Sequence, residues 1–243
     1  MALIAGVDGC RGGWVVVLAE TTRDGRGMTA EILIARDFDG VLAVTRDACV
    51  VGVDMPIGLL DAAVAGGREC DRQARRLLGH PRCCSVFTPP ARGALGGESY
   101  RAALSANRAS SAAGLGISIE CFGLFPRLRE VDVALTADLA LAERVREVHP
   151  ELSFRELAGG AAGLSEPKRS ARGLSRRAAL LRPRFSRLGR ALRRRLAGVA
   201  DDDVLDAHAV AWSAARIARN RAVCLPGRPA PRDARGLPMA IWY

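Results

Sequence analysis

Leu3-Ile4-Ala5-Gly6-Val7-Asp8-Gly9-Cys10-Arg11-Gly12-Gly13-Trp14-Val15-Val16-Val17-Leu18-Ala19 is two apolar runs around a glycine-rich turn. Residues 2–8 read as a strand, 9–13 as the turn and 14–19 as a second strand, together a hairpin. The first strand ends on an acid, Asp8. A later apolar run over residues 49–54 ends the same way, on Asp54. A carboxylate at the tip of a buried strand is costly unless something compensates it, and a divalent cation shared by two of them is the simplest compensation. Asp201-Asp202-Asp203-Val204-Leu205-Asp206 opens a helical stretch that can bring a third acid to the same place.

Outward from the hairpin, Thr21 to Gly27 is polar and turn-like, and Met28 to Ala35 alternates as a third strand. Asp37 to Arg46 reads as a helix with Asp37 as N-cap. The 49–54 strand is apolar throughout, as a central parallel strand buried on both faces must be. The resulting β-β-β-α-β order predicts an α/β mixed sheet flanked by helices, in one domain over residues 1–243. Residues 60–140 read as a largely helical or irregular insertion, with helices over 68–78 and 98–107 around a Pro/Gly-rich loop, 80–97. Arg144 to His149 reads as a fifth strand stopped by Pro150. Residues 158–175 read as loop, 176–196 as a basic helical region broken near Pro183, and 203–219 as an amphipathic helix. The proline-bearing tail is expected to wrap the surface, with residues 239–243 packing back.

The 243 residues are 49% hydrophobic, enough for one sizeable core. No uncharged apolar run approaches the roughly 18 residues of a membrane helix, and no basic leader precedes the first strand, so a cytoplasmic location is expected. Seven cysteines without a CxxC spacing read as reduced thiols. The net charge of +10 is concentrated: residues 168–195 carry twelve cations and no acid, leaving 24 basic against 26 acidic residues elsewhere. Lys168 is the only lysine. Such a segment suits contact with phosphates, or is a solvated helix face.

Six segments together resemble the DUF429 family, often described as predicted ribonuclease-H-like nucleases. They are Val7 to Trp14, Val53 to Leu59, Arg68 with Cys70-Asp71 and Arg75, Ser85 to Pro90, His149 to Phe154, and Asp202 to Ala207. The resemblance implies a ribonuclease-H-like fold and Mg2+- or Mn2+-dependent hydrolysis of a nucleic acid, RNA or DNA. Ser118-Ile119-Glu120 departs from the family pattern, which carries Gln at the third position.

The candidate metal ligands are Asp8, Asp54, Asp203 and Asp206, with Asp203 preferred over Asp206; Glu151 joins them as a catalytic carboxylate. Each has a structural reading too: turn-capping for Asp8 and Asp54, favourable placement at a helix N-terminus for the others. His149 is a candidate to orient water or a leaving group, or a hydrogen-bonded, partly buried residue. Arg11, Arg68, Arg75 and Lys168 are candidate substrate contacts; Arg68, Asp71 and Arg75 share one helix face and can equally form a charge-paired patch. Gly9, Gly12 and Gly13 suit a phosphate cradle or, preferably, a tight hairpin. His208 falls on an apolar face as a core residue. Two other functions fit this pattern: a non-catalytic nucleic-acid-binding protein of the same fold, and a nucleotide-using phosphotransferase or hydrolase, which would need a second strand-Asp-Gly hairpin.

Overall fold

The computed structural model describes residues 1–22 and 27–243; residues 23–26, the middle of the expected turn, lie outside the described residues. Strand β1 (Leu3–Cys10) pairs antiparallel with β2 (Gly13–Thr21), setting Asp8 opposite Val15, and β2 pairs antiparallel with β3 (Met28–Ala35). The hairpin closes at Gly13, whose φ of 123° only glycine adopts readily. Helix α1 (Phe38–Val44) follows, its first turn capped by the Asp37 carboxylate accepting from Gly40 N at 2.8 Å. Strands β4 (Val50–Val53) and β5 (Val145–Glu147) then add in parallel, giving the order β3-β2-β1-β4-β5.

Period-two alternation sorts the strand residues onto two faces. Ile4, Val15, Val17 and Val50 join a core with helices α6 (Pro150–Leu157), α7 (Ala171–Leu181), α8 (Leu188–Arg193) and α9 (Asp201–Ala218). Ala5, Val7, Val16, Val51 and Val53 face the other way, toward α1 and α5 (Phe125–Ala137). By the same parity Gly6 and Asp8 on β1, and Gly52 and Asp54 at β4, look toward α9.

That parity is what lets α9 lie directly on the sheet. Gly6 and Gly52 are register partners. A Cβ on Gly6 would fall 2.1 Å from Ala211 N and 2.2 Å from Ala207 O; one on Gly52 would fall 2.7 Å from Val210 Cγ1. Two bare positions on the strands meet the alanine-rich face of the helix, so the α9 N-terminus reaches the carboxyl ends of β1 and β4.

Residues 60–140 hold α2 (Glu69–Leu78), α3 (Tyr100–Ala109), α4 (Ile119–Gly123) and α5. The last two were not expected, and α5 brings Phe125, Leu128, Val131 and Leu135 into the core beneath the sheet. Pro150 both stops β5 and opens α6, a helix also absent from the sequence reading. The basic segment breaks as expected, between Leu181 and Leu188. The tail returns to pair β6 (Cys224–Leu225) with β7 (Ile241–Trp242). All seven cysteines are free, and no helix among the described residues is long and apolar enough to cross a membrane.

Candidate active site

A cavity of about 290 Å³ opens at the carboxyl ends of β1 and β4, where ligands of parallel α/β sheets commonly bind. Asp8, Asp54, His149, Glu151, Lys168, Asp203 and Asp206 all line it. Residues more than 190 positions apart in the chain therefore meet in one place. Arg11 and Arg75 do not line it. Arg11 is exposed at the hairpin tip. Arg75 ties α2 to the following loop through Val86 O, Gly66 O and Thr88 Oγ1 at 2.8, 2.6 and 2.9 Å.

Asp8 and Asp54 sit side by side, because Val7 is the register partner of Val53 and Asp54 N donates to Val7 O at 2.9 Å. Neither carboxylate has a hydrogen-bond or ion-pair partner among the described residues. Burial, then the charges of Asp54 and Asp206, raise the pKa of Asp8 well above the usual carboxylate range. Burial pushes Asp54 up to about 7 despite Lys168, with Glu151 adding to the rise. Asp206 behaves alike, pushed up to about 7 by burial against the pull of Lys168. These carboxylates titrate as one cluster rather than as independent groups.

The two helix-borne acids differ. Asp203 Oδ2 accepts from Ala200 N at 3.0 Å, closing the first turn of α9; its position is that of a cap. Asp206 is 2% exposed, takes Lys168 Nζ on Oδ2 at 2.9 Å, and leaves Oδ1 buried with no partner. Both acids line the cavity; Asp206 carries its unpaired oxygen in a buried position, whereas the partly exposed Asp203 is also the cap of α9.

Glu151 has the same asymmetry. Oε1 accepts from Arg177 Nη2 at 2.6 Å and Oε2 is buried without a partner. Arg177, fully buried on α7, was not singled out in the sequence, where it is one arginine among many in a basic run. Arg177→Met leaves the Glu151 charge uncompensated and is expected to cost about 3 kcal/mol in urea unfolding at pH 8.

Arg68 lines the cavity but is engaged on its far side. Its guanidinium meets Asp71 and Glu147, each at 2.7 Å, and Glu147 also accepts from Ile57 N at 2.7 Å. Of the charge-paired patch expected from Arg68, Asp71 and Arg75, the Arg68–Asp71 pair exists, with Glu147 of β5 as its third member and Arg75 outside it. Arg82 is the converse case. It lines the cavity, its stem packs against Gly163, and its guanidinium has no partner among the described residues. Loop 80–97 forms this wall through Arg82, Ser85, Val86 and Phe87.

His149 Nε2 lies 3.3 Å from Ser85 O. A carbonyl only accepts, so Nε2 carries the proton and Nδ1, buried and unpartnered, keeps its lone pair. Burial lowers the His149 pKa, favouring this neutral form. His208 lies elsewhere, its Nδ1 2.7 Å from Val204 O and its ring against Phe185. Gly12 N donates to Gly198 O at 3.2 Å, and Arg127 packs on Gly9, so the turn glycines serve packing. Glu120 is exposed in the first turn of α4, away from the cavity.

Among the described residues, no group of three or more His, Cys, Asp or Glu side chains is arranged so that it could hold a metal ion as it stands. The chemistry of the donors, as distinct from their arrangement, is compatible with one. Asp8 and Asp54 lack partners, one oxygen each of Asp206 and Glu151 is orphaned, and all are hard oxygen donors suited to Mg2+ or Mn2+.

The family described as "Protein of unknown function (DUF429)" matches residues 6–231. No curated protein and no solved structure matched the chain.

Proposed function

The chain belongs to the DUF429 family, and we propose that it is a divalent-metal-dependent phosphodiesterase acting on nucleic acid, built on a ribonuclease-H-like fold. The fold reading rests on the antiparallel β1–β3 meander continued by parallel β4 and β5. The observation that carries the activity is the pair of unpartnered carboxylates, Asp8 and Asp54, beside the orphaned oxygen of Asp206 in one cavity. Keeping such charges together without protein partners opposes folding, and it makes sense where a dication and a phosphate complete the set.

Asp8, Asp54 and Asp206 would hold Mg2+ or Mn2+, which when bound supplies a Lewis acid for a phosphoryl oxygen and lowers the pKa of water. His149 Nδ1 is the free base in the cavity and takes the proton of the attacking water. Glu151 Oε2 accepts a hydrogen bond from that water and orients it. Arg82 meets a non-bridging phosphate oxygen from the opposite wall. Lys168 and Arg169 line the cavity and lead into the exposed arginines of α7 and α8, a surface for the flanking backbone phosphates.

The test is cleavage of end-labelled oligonucleotides, offered as single strands, duplexes and RNA–DNA hybrids, with Mn2+ or with a chelator. Cleavage of at least one substrate that the chelator abolishes is expected; none across the set overturns the nuclease reading. Retained binding of uncut oligonucleotide, undiminished in Asp54→Asn, would then favour the non-catalytic binder. A phosphotransferase of the actin–hexokinase type has less support: beyond β5 the described residues form only the two-residue strands β6 and β7, with no second strand-Asp-Gly hairpin. In the cleavage assay Arg82→Ala is expected to raise the KM about tenfold, the loss of one charge-assisted contact, with a smaller change in kcat.

A further inference from the structure

We infer that Lys168 permanently occupies a cation position in the carboxylate cluster, so that the site takes one dication and not the two usual in phosphoryl-transfer centres. The inference rests on the metal-dependent reading above and adds the stoichiometry.

The charges around the cavity divide into compensated and uncompensated ones. Glu147 and Asp71 are matched by Arg68, Glu151 by Arg177, and Asp202 by Arg169 at 3.0 Å. Asp203 is tied to the α9 backbone. Asp206 is matched by Lys168, whose ammonium also lies 3.7 Å from Asp202. Asp8 and Asp54 are left, with the orphaned oxygens of Asp206 (Oδ1) and Glu151 (Oε2), the latter on a carboxylate already matched by Arg177. That residue of oxygen donors suffices for one cation. A second metal would need the other oxygen of Asp206, and Lys168 Nζ is already there at 2.9 Å.

The side-chain type points the same way. A guanidinium is a flat, broad group that prefers two-point contact with a carboxylate, whereas an ammonium is a compact point charge, the nearest side-chain equivalent of a small cation. Every other cationic side chain in this protein is arginine, including the buried partners Arg68 and Arg177. Arginines match Asp71, Glu147 and Glu151 at the cavity wall, whereas the single lysine stands on Asp206, the matched carboxylate that lies with Asp8 and Asp54 in the proposed metal set. Its ammonium would also stabilise charge that develops on a transferring phosphoryl group, as a second metal does elsewhere.

Mn2+ titration calorimetry at pH 8 on the full chain tests this. Wild type is expected to bind one Mn2+ per chain, Lys168→Met two, and Lys168→Arg one. Lys168 lies on a loop and is partly exposed, so the variants should fold. Two ions in the wild type overturn the inference and leave the metal-dependent reading standing. One ion in both wild type and Lys168→Met also overturns it, because the lysine then holds no cation position. No binding by any of the three proteins overturns the metal-dependent reading itself.

Discussion

Asp54→Asn should melt higher than the wild type at pH 8 without metal, yet neither bind Mn2+ nor cleave. The two effects share one cause. Burial holds the Asp54 carboxyl up at about 7, against an ordinary value of 3.8, and Asp8 and Asp206 are raised with it. Between those limits the folded protein binds more protons than the unfolded chain, so stability falls as the pH rises from about 4 to about 7. Above 7 the whole penalty is in force. Asparagine removes one charge from the cluster, relieves its neighbours, and is expected to gain about 2 kcal/mol, or about 4–8 °C in Tm, at pH 8. The gain should shrink on acidification and vanish below pH 4, where wild-type carboxyls are protonated in both states.

Metal reverses the order. Saturating Mn2+ at about 100 times its Kd should stabilise the wild type by about 2.7 kcal/mol and leave Asp54→Asn unmoved, while cleavage falls on the order of 1,000-fold. Scanning fluorimetry at pH 4, 6 and 8, with and without Mn2+, reads all of this. If Asp54→Asn melts lower than wild type at pH 8, the carboxylate is a turn or cap residue that folding uses. A site whose removal stabilises the fold is one the fold does not need.

How far the sequence reveals this site depends on how local each interaction is. The hairpin, β3 to its observed ends at Met28 and Ala35, the Asp37 cap and the α9 helix follow from short-range pattern, and all were legible. Asp8 and Asp54 were legible too, because each ends an apolar strand. Helix α5 was not. Over Arg127-Leu128-Arg129-Glu130-Val131-Asp132-Val133 polar and apolar residues nearly alternate, and this masks the helical period. Its polar residues have partners that only the fold brings near: Glu130 takes Trp14 Nε1 at 2.9 Å, Asp132 pairs with Arg92, and Arg127 donates to Cys10 O. The pairings of Arg68, Arg177 and Asp206 were hidden for the same reason. Glu147 is 79 residues from Arg68, Glu151 is 26 from Arg177, and Lys168 is 38 from Asp206. A charge can be read from sequence, but whether it is already matched cannot.

Gly6→Ala should abolish folding, whereas Gly52→Ala should be partly rescued by a second change, and the contrast tests how the acids are brought together. The two glycines face each other on adjacent strands and both lie under α9. At Gly6 the new methyl would fall 2.1 Å from Ala211 N and 2.2 Å from Ala207 O, both backbone atoms of the helix. No side-chain rotation relieves that contact, and trimming Ala207 or Ala211 leaves it untouched. The helix must lift off the sheet, opening the core that Ala207, Val210, Ala211 and Ala214 share with Ile4, Val15 and Val50. The loss should exceed about 5 kcal/mol, enough to unfold a marginally stable domain. At Gly52 the nearest atom is the end of a side chain, Val210 Cγ1 at 2.7 Å, with Val148 Cγ2 and Val210 O at 3.2 Å. Gly52→Ala should therefore cost about 2–3 kcal/mol, as overpacking does, and Val210→Ala in the same chain should recover part of it although each change alone destabilises. Urea unfolding of the single and double variants measures the coupling. A folded Gly6→Ala protein with wild-type Tm would mean that α9 does not lie against β1 as described. Asp206, carried on α9, would then lose its place beside Asp8.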